Sequence, residues 1–193
     1  MHLSMIRDRS VKTRAQVKGD DLDMALKYFK YTLMFDPENW EAWWRLAQTH
    51  GQQIDEDMCW TADTMNNQKG ELVKKERRCI LSFIMAVSTS VRSPVDSEEA
   101  GQKLACMYYE FAYRIYTSSR PPMSMEAWHM DEFVRHFSGT QGQGMYKQVA
   151  HKEVTPQMAL RFAVVLLERA LLEDPENWKY VKAPHDCDLS YPE

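Results

Sequence analysis

Apolar residues recur along this chain at spacings of three and four, so the sequence predicts helices almost throughout. Residues 20–35 carry Leu22, Ala25, Leu26, Phe29 and Leu33 on one face. Asp36 precedes Pro37, and the residue before a proline is pushed out of the α region, so the first helix stops there. Asn39 is placed to cap a second helix, Trp40 to about Ile54, with Trp43, Leu46 and Ala47 as its stripe and Trp40 and Trp44 flanking. Cys59–Met65 reads as a short helix anchored by Trp60, and Asn66–Gly70 as a loop or break. Glu71–Ser88 shows an apolar face of Leu72, Cys79, Ile80, Phe83, Ile84 and Val87. Ser97 opens a helix that runs to Ser118 and is dense in aromatics: Tyr108, Tyr109, Phe111, Tyr113 and Tyr116. After Pro121-Pro122 a shorter helix is expected over Ser124–Phe137, then a flexible stretch over Ser138–Gly144. Thr155-Pro156 opens the last helix, which reaches Glu173. No segment alternates well enough to predict a strand.

The expected class is therefore all-α, and a repeat sharpens it. Asp-Pro-Glu-Asn-Trp occurs at Asp36–Trp40 and again at Asp174–Trp178, each copy following a similar helix. The copies start 138 residues apart, close to four periods of the roughly 34-residue tetratricopeptide (TPR) helix pair. The second helix of such a pair favours a small residue, an aromatic, a small residue and then proline. Ala25, Phe29, Thr32 and Pro37 fill those slots; so do Ala163, Leu167, Ala170 and Pro175; and Cys79, Phe83 and Ala86 fill three of them. Trp43, Leu46 and Ala47 suit the first helix of a pair. The centre is irregular, because 31 residues separate Ala47 from Cys79 where a regular array has about 11. The chain resembles an irregular TPR-like α-α superhelix of about seven or eight helices. Its expected organisation is a basic arm over residues 1–19, a helical-repeat domain over 20–178 and a loop or frayed tail over 179–193.

Composition narrows the function classes. The net charge of −4 neither requires nor excludes nucleic acid, and direct binding to it is left open. Charge is distributed unevenly, with five basic residues against one acid in Met1–Lys18 and six acids against two lysines in Glu173–Glu193. No apolar run approaches a membrane span, and the first residues lack the apolar core of a signal peptide, so no membrane is expected. Cys59, Cys79, Cys106 and Cys187 are scattered and form no C-x-x-C pair, which suits free thiols in a reducing compartment.

Two stretches carry a sharper resemblance. One is Trp44-Arg-Leu-Ala-Gln-Thr-His-Gly-Gln-Gln-Ile-Asp-Glu-Asp-Met-Cys-Trp-Thr-Ala-Asp-Thr-Met-Asn66 leading to Glu71-Leu-Val-Lys-Lys-Glu-Arg-Arg-Cys79; the other is Tyr116-Thr-Ser-Ser-Arg-Pro-Pro-Met-Ser-Met-Glu-Ala-Trp128. With their flanking helices they resemble the large TPR-bearing subunit of the HIR/HIRA histone-chaperone complex, the fungal histone transcription regulator subunit and the animal cabin family. The resemblance implies a nuclear, non-enzymatic scaffold. It further implies a complex with WD-repeat subunits that deposits histones H3–H4 independently of replication and represses histone genes. Family members are far longer than this chain, and no contact residue carries over.

Candidate chemistry is sparse. His129, Asp131, Glu132 and His136 gather ligand types around one expected helix, but the spacing is not H-E-x-x-H. His185-Asp-Cys-Asp188 has ligand types but no second half. The glycines at 139, 142 and 144 lack the Gly-Lys-Ser/Thr of a phosphate loop. No catalytic residue, cofactor or metal is therefore expected. Lys74, Lys75, Arg77 and Arg78 form a basic patch that either pairs locally with Glu71 and Glu76 or meets an acidic partner. Tyr109 and Tyr113 fall opposite the buried stripe of their helix and suit a groove. Self-association is left open. The competing function is a generic TPR adaptor for a peptide. The first-helix slots hold Glu41, Trp44, Arg45 and Gln48, which do not make the usual carboxylate clamp.

Overall fold

The apolar spacing builds five α-helices among the described residues. The computed structural model describes residues 19–58, 62–93, 97–129, 134–138, 144–148 and 153–177. The helices are α1 (Gly19–Phe35), α2 (Trp40–Met58), α3 (Ala62–Ser90), α4 (Glu98–Ser118) and α5 (Pro156–Glu173). Between α4 and α5 come a 3-10 turn (Glu126–Trp128) and two strands, β1 (Val134–Ser138) and β2 (Gly144–Gln148). The chain divides into two compact units, Met1–Pro94 and Val95–Glu193.

In the first unit α1 packs on α2, and α2 on α3. Leu26, Leu33, Ala42 and Leu46 form the α1–α2 core, with Phe29 and Trp43 packed against its edge. Fully burying each leucine side chain stabilises by about 1.5–3 kcal/mol. The helices run antiparallel: Gln53, late in α2, donates to Asp23, early in α1, at 2.9 Å. Lys75 of α3 bonds Asp57 at the end of α2, and the Cys79 thiol donates to the Ala47 carbonyl at 3.3 Å.

The α1–α2 turn follows from its pentapeptide. The Asp36 amide still donates to Thr32, the last α1 bond, before Pro37 stops the helix. The Asn39 side chain then accepts the Ala42 amide at 2.9 Å and donates to the Asp36 carboxylate at 3.1 Å. The indole N–H of Trp43 donates to the Pro37 carbonyl at 2.8 Å. The second copy repeats the turn: the Asp174 amide donates to Ala170, and Asn177 donates to the Asp174 carboxylate at 3.1 Å. Trp178 lies outside the described residues.

In the second unit α4 packs on α5. Leu104, Met107, Phe111, Ala112 and Ile115 are buried on α4, and Ala159, Ala163, Leu166, Leu167 and Ala170 on α5. Phe111 meets the Phe162 ring edge-to-face at 5.7 Å. The Ser97 hydroxyl caps α4 by accepting the Ala100 amide, and Thr155 caps α5 with Pro156 directly inside. The strands pair antiparallel, His136 opposite Tyr146 and Ser138 opposite Gly144.

Several expectations need correction. The helix count is lower than seven or eight among the described residues. Asn66–Gly70 does not break the chain: α3 is one helix of 29 residues running through it. Asparagine and glycine cost only about 1 kcal/mol or less in a helix interior, which is too little to end a helix that continues on both sides. No helix spans Ser124–Phe137. Ser124 and Met125 both adopt left-handed backbone, at φ 44° and 67°, which an α-helix does not tolerate, and Val134–Phe137 falls in β1. The hairpin is also a departure from an all-helical chain. Of the α2 tryptophans, Trp44 rather than Trp43 is the buried one; it stacks on Trp40 at 6.2 Å. The basic arm and the tail lie outside the described residues apart from Gly19.

Candidate interaction surface

The four basic residues on α3 do not share one face, because residues four apart lie together and residues one or two apart do not. Lys74 is exposed and pairs with Glu71 one turn earlier at 2.7 Å. That ammonium holds the Glu71 carboxyl below the ordinary carboxylate range, first by the hydrogen bond and then by its charge. Lys75 turns toward α2, where its half-buried ammonium meets Asp57 at 2.6 Å. Arg77 is half-buried and Arg78 exposed. The expected patch thus splits: Lys74 and Arg78 stay on the outer ridge, while Lys75 ties α3 to α2. The same ridge continues through Leu81 and Met85, both exposed, so its outer end is apolar.

On α4, Tyr113 is exposed and Tyr109 half-buried one turn earlier. Tyr116 is half-buried, with the Arg120 guanidinium 4.9 Å from its ring centre. The structure therefore leaves Tyr113 available on the outer side of α4. The peptide-clamp slots of α2 engage one another: Arg45 pairs with Glu41 at 3.6 Å and donates to Gln48 at 3.0 Å, and Trp44 is buried.

The expected ligand clusters do not assemble among the described residues. No group of three or more His, Cys, Asp or Glu side chains there is placed to hold a metal ion. His129 follows the 3-10 turn and lies 3.8 Å from Glu153, while His136 sits in β1, so the two do not share a helix. Asp131, Glu132 and the His185–Asp188 run lie outside the described residues, as do Cys59, Cys187 and the glycines at 139 and 142. Cys79 is buried, and the Cys106 thiol reaches the Glu110 carboxylate at 3.7 Å. No helix among the described residues is long and apolar enough to cross a membrane.

One buried group has shifted acid–base behaviour. His50 on α2 is almost fully buried, with no hydrogen-bond partner for Nδ1. Burial first, and then the charge of Lys30, hold its pKa down to about 4. Arg78 and Lys75 act in the same direction, and a hydrogen bond with Gln53 opposes them. The imidazole is neutral near pH 7 and belongs to the core.

Sequence reasoning missed the outer face of α1. Met24, Tyr28, Tyr31, Met34 and Phe35 are each between 63% and 78% exposed, opposite the buried Leu22, Leu26 and Leu33. The signal was present. Met24, Tyr28, Tyr31 and Phe35 also recur at spacings of four, three and four, so α1 is apolar on two sides.

Comparison with known proteins fits this architecture. The family model of the HIR3 helical bundle domain matches residues 1–174. The chain is 37% identical to a histone transcription regulator 3 homolog of Aspergillus fumigatus over 177 residues, covering 92% of this chain and 9% of that protein. A Chaetomium globosum protein of the same name is 38% identical, covering 86% of this chain and 9% of its own length. A Schizosaccharomyces pombe protein of that name is 29% identical over 133 residues, covering 67% of this chain and 8% of its own length. The chain thus spans about a tenth of the length of the relatives it matches. It belongs to the HIR3 helical bundle family.

Proposed function

We propose that this chain is a non-enzymatic scaffold segment of a nuclear histone-regulating complex. The observation that carries the reading is its identity to proteins named histone transcription regulator 3 over most of its own length. A family relation at this level implies a shared fold and favours a shared role in histone regulation. The finer reading follows the HIR/HIRA resemblance: the segment holds WD-repeat subunits in an assembly that delivers H3–H4 and represses histone genes.

The finer architectural reading is irregular TPR-like helix pairing within residues 20–178, flanked by the basic arm and the tail. Burial of the slot residues Leu46, Ala47, Cys79, Phe83, Ala86, Ala163, Leu167 and Ala170 supports helix pairing of that kind. The partner-facing residues are Lys74 and Arg78 on the α3 ridge and Tyr113 on α4. Lys75, Arg77 and Tyr109 support them from partly buried positions.

The test is quantitative affinity purification from nuclear extract, using a full-length relative with this segment intact or deleted. Loss of WD-repeat subunits and histones on deletion supports the proposal. Unchanged recovery of both overturns it.

A further inference from the structure

The outer face of α1 is an apolar ridge that the described residues leave uncovered. Tyr31 and Phe35 brace each other edge-to-face at 4.8 Å, so the two rings stand as a preformed knob. A contiguous exposed patch of this kind marks an interaction site more often than a lone exposed side chain does. The charges around it identify what fits.

Lys27 and Lys30 are exposed, and neither makes an ion pair among the described residues. No carboxylate lies between Asp23 and Asp36. The flanking carboxylates are already engaged: Asp23 accepts from Gln53, Asp36 from Asn39, and Glu38 pairs with Arg92 at 3.0 Å. Asp21 sits in the first turn, against the positive end of the helix dipole. The ridge therefore presents apolar surface with unsatisfied positive charge beside it.

We infer that the α1 ridge docks an acidic amphipathic helix of another polypeptide, its apolar stripe on Tyr28, Tyr31 and Phe35 and its carboxylates on Lys27 and Lys30. Apolar i, i+3, i+4 anchors give such a contact its affinity, and the flanking charges give it register and partner choice. A second copy of this chain fits poorly, because it would bring the same unpaired lysines together. Nucleic acid fits poorly as well, since two lysines neutralise few phosphates and Met24 and Met34 offer none. The ridge would likewise repel a basic histone surface, so the inference stands apart from histone binding and survives if that reading fails.

The probe is a fluorescein-labelled designed helix with leucines at three- and four-residue spacing and glutamates on both flanks. A matched helix with lysine flanks is the control. Fluorescence anisotropy with the full 193-residue chain should show saturable binding of the acidic helix, weakened by added salt, and much weaker binding of the basic one. Tyr28→Ser combined with Tyr31→Ser should weaken binding by about thirtyfold or more, the size of two lost aromatic anchors. Lys27→Glu with Lys30→Glu should reverse the preference between the two helices. These side chains are exposed, and an unchanged circular dichroism spectrum confirms that the variants fold. No binding up to millimolar helix, or equal binding of both helices, overturns the inference. So does a dimer seen by sedimentation that Tyr28→Ser/Tyr31→Ser dissolves, or a single-stranded oligonucleotide that binds the ridge in place of the helix.

Discussion

The α2–α3 packing and the α4–α5 packing use different chemistry for the same task. Between α2 and α3 polar groups are buried or bridge the helices: His50, Thr49, Glu76 and Thr89 are nearly inaccessible, Lys75 meets Asp57, and the Cys79 thiol meets the Ala47 carbonyl. The α4–α5 core is aliphatic and aromatic, and among the described residues of its unit the buried polar ones, Ser118 and Ser119, sit at the end of α4. Threonine and serine hydroxyls in α3 are satisfied within their own helix, as where Thr89 donates to Met85 at 2.8 Å. His50 and Lys75 are not satisfied that way. The α2–α3 packing should therefore respond to pH and salt more than the α4–α5 packing does.

Substitutions in the two units should separate them. The largest effect is expected in the apolar core of the second. Phe111 is fully buried, and Phe111→Ala should cost about 3–5 kcal/mol, read as lost hydrogen-exchange protection in α4 and α5. That loss should be independent of pH between 4 and 7.

Acid should reverse the contrast. The folded pKa of His50, about 4, lies below its ordinary 6.5, so the unfolded chain binds more protons between those values. The stability that neutral His50 contributes is complete above pH 6.5 and lost as pH falls toward 4. The first unit should lose on the order of 2 kcal/mol over that window. His50→Gln should flatten the curve, and protection of α4 and α5 should not follow it.

Smaller effects compare the capped turns and the ion pair. Asn39→Ala removes the side chain that caps α2 and should destabilise the first unit by about 1 kcal/mol in urea unfolding. Lys75→Ala should cost up to about 1 kcal/mol, with the loss shrinking as salt is added, because the pair is only part-buried.

These contrasts explain what the sequence could announce. Helix ends governed by local chemistry were legible: Asp36-Pro37, Asn39, Ser97 and Thr155-Pro156 all act as their types predict. The continuity of α3 was not, since Asn66–Gly70 is weak in local helix propensity yet stays helical inside a 29-residue helix. The hairpin was hidden because β1, Val-Arg-His-Phe-Ser, gives neither face a consistent apolar set. At the candidate surface, a run of four basic residues says nothing of which ones a neighbouring helix will claim. Lys75 was claimed by Asp57 and Lys74 was not. The α1 ridge was hidden because the core-facing set Leu22, Leu26, Phe29 and Leu33 already satisfies the helical period, and the second apolar set runs on the opposite side.

The central claim is that this segment holds partners through its outer helix faces. Hydrogen–deuterium exchange on a full-length relative, free and in its assembled complex, tests it most directly. Added protection over the segment corresponding to residues 19–177, strongest in α1 and α3, is the result predicted. Identical exchange across the whole segment in the two states would contradict it.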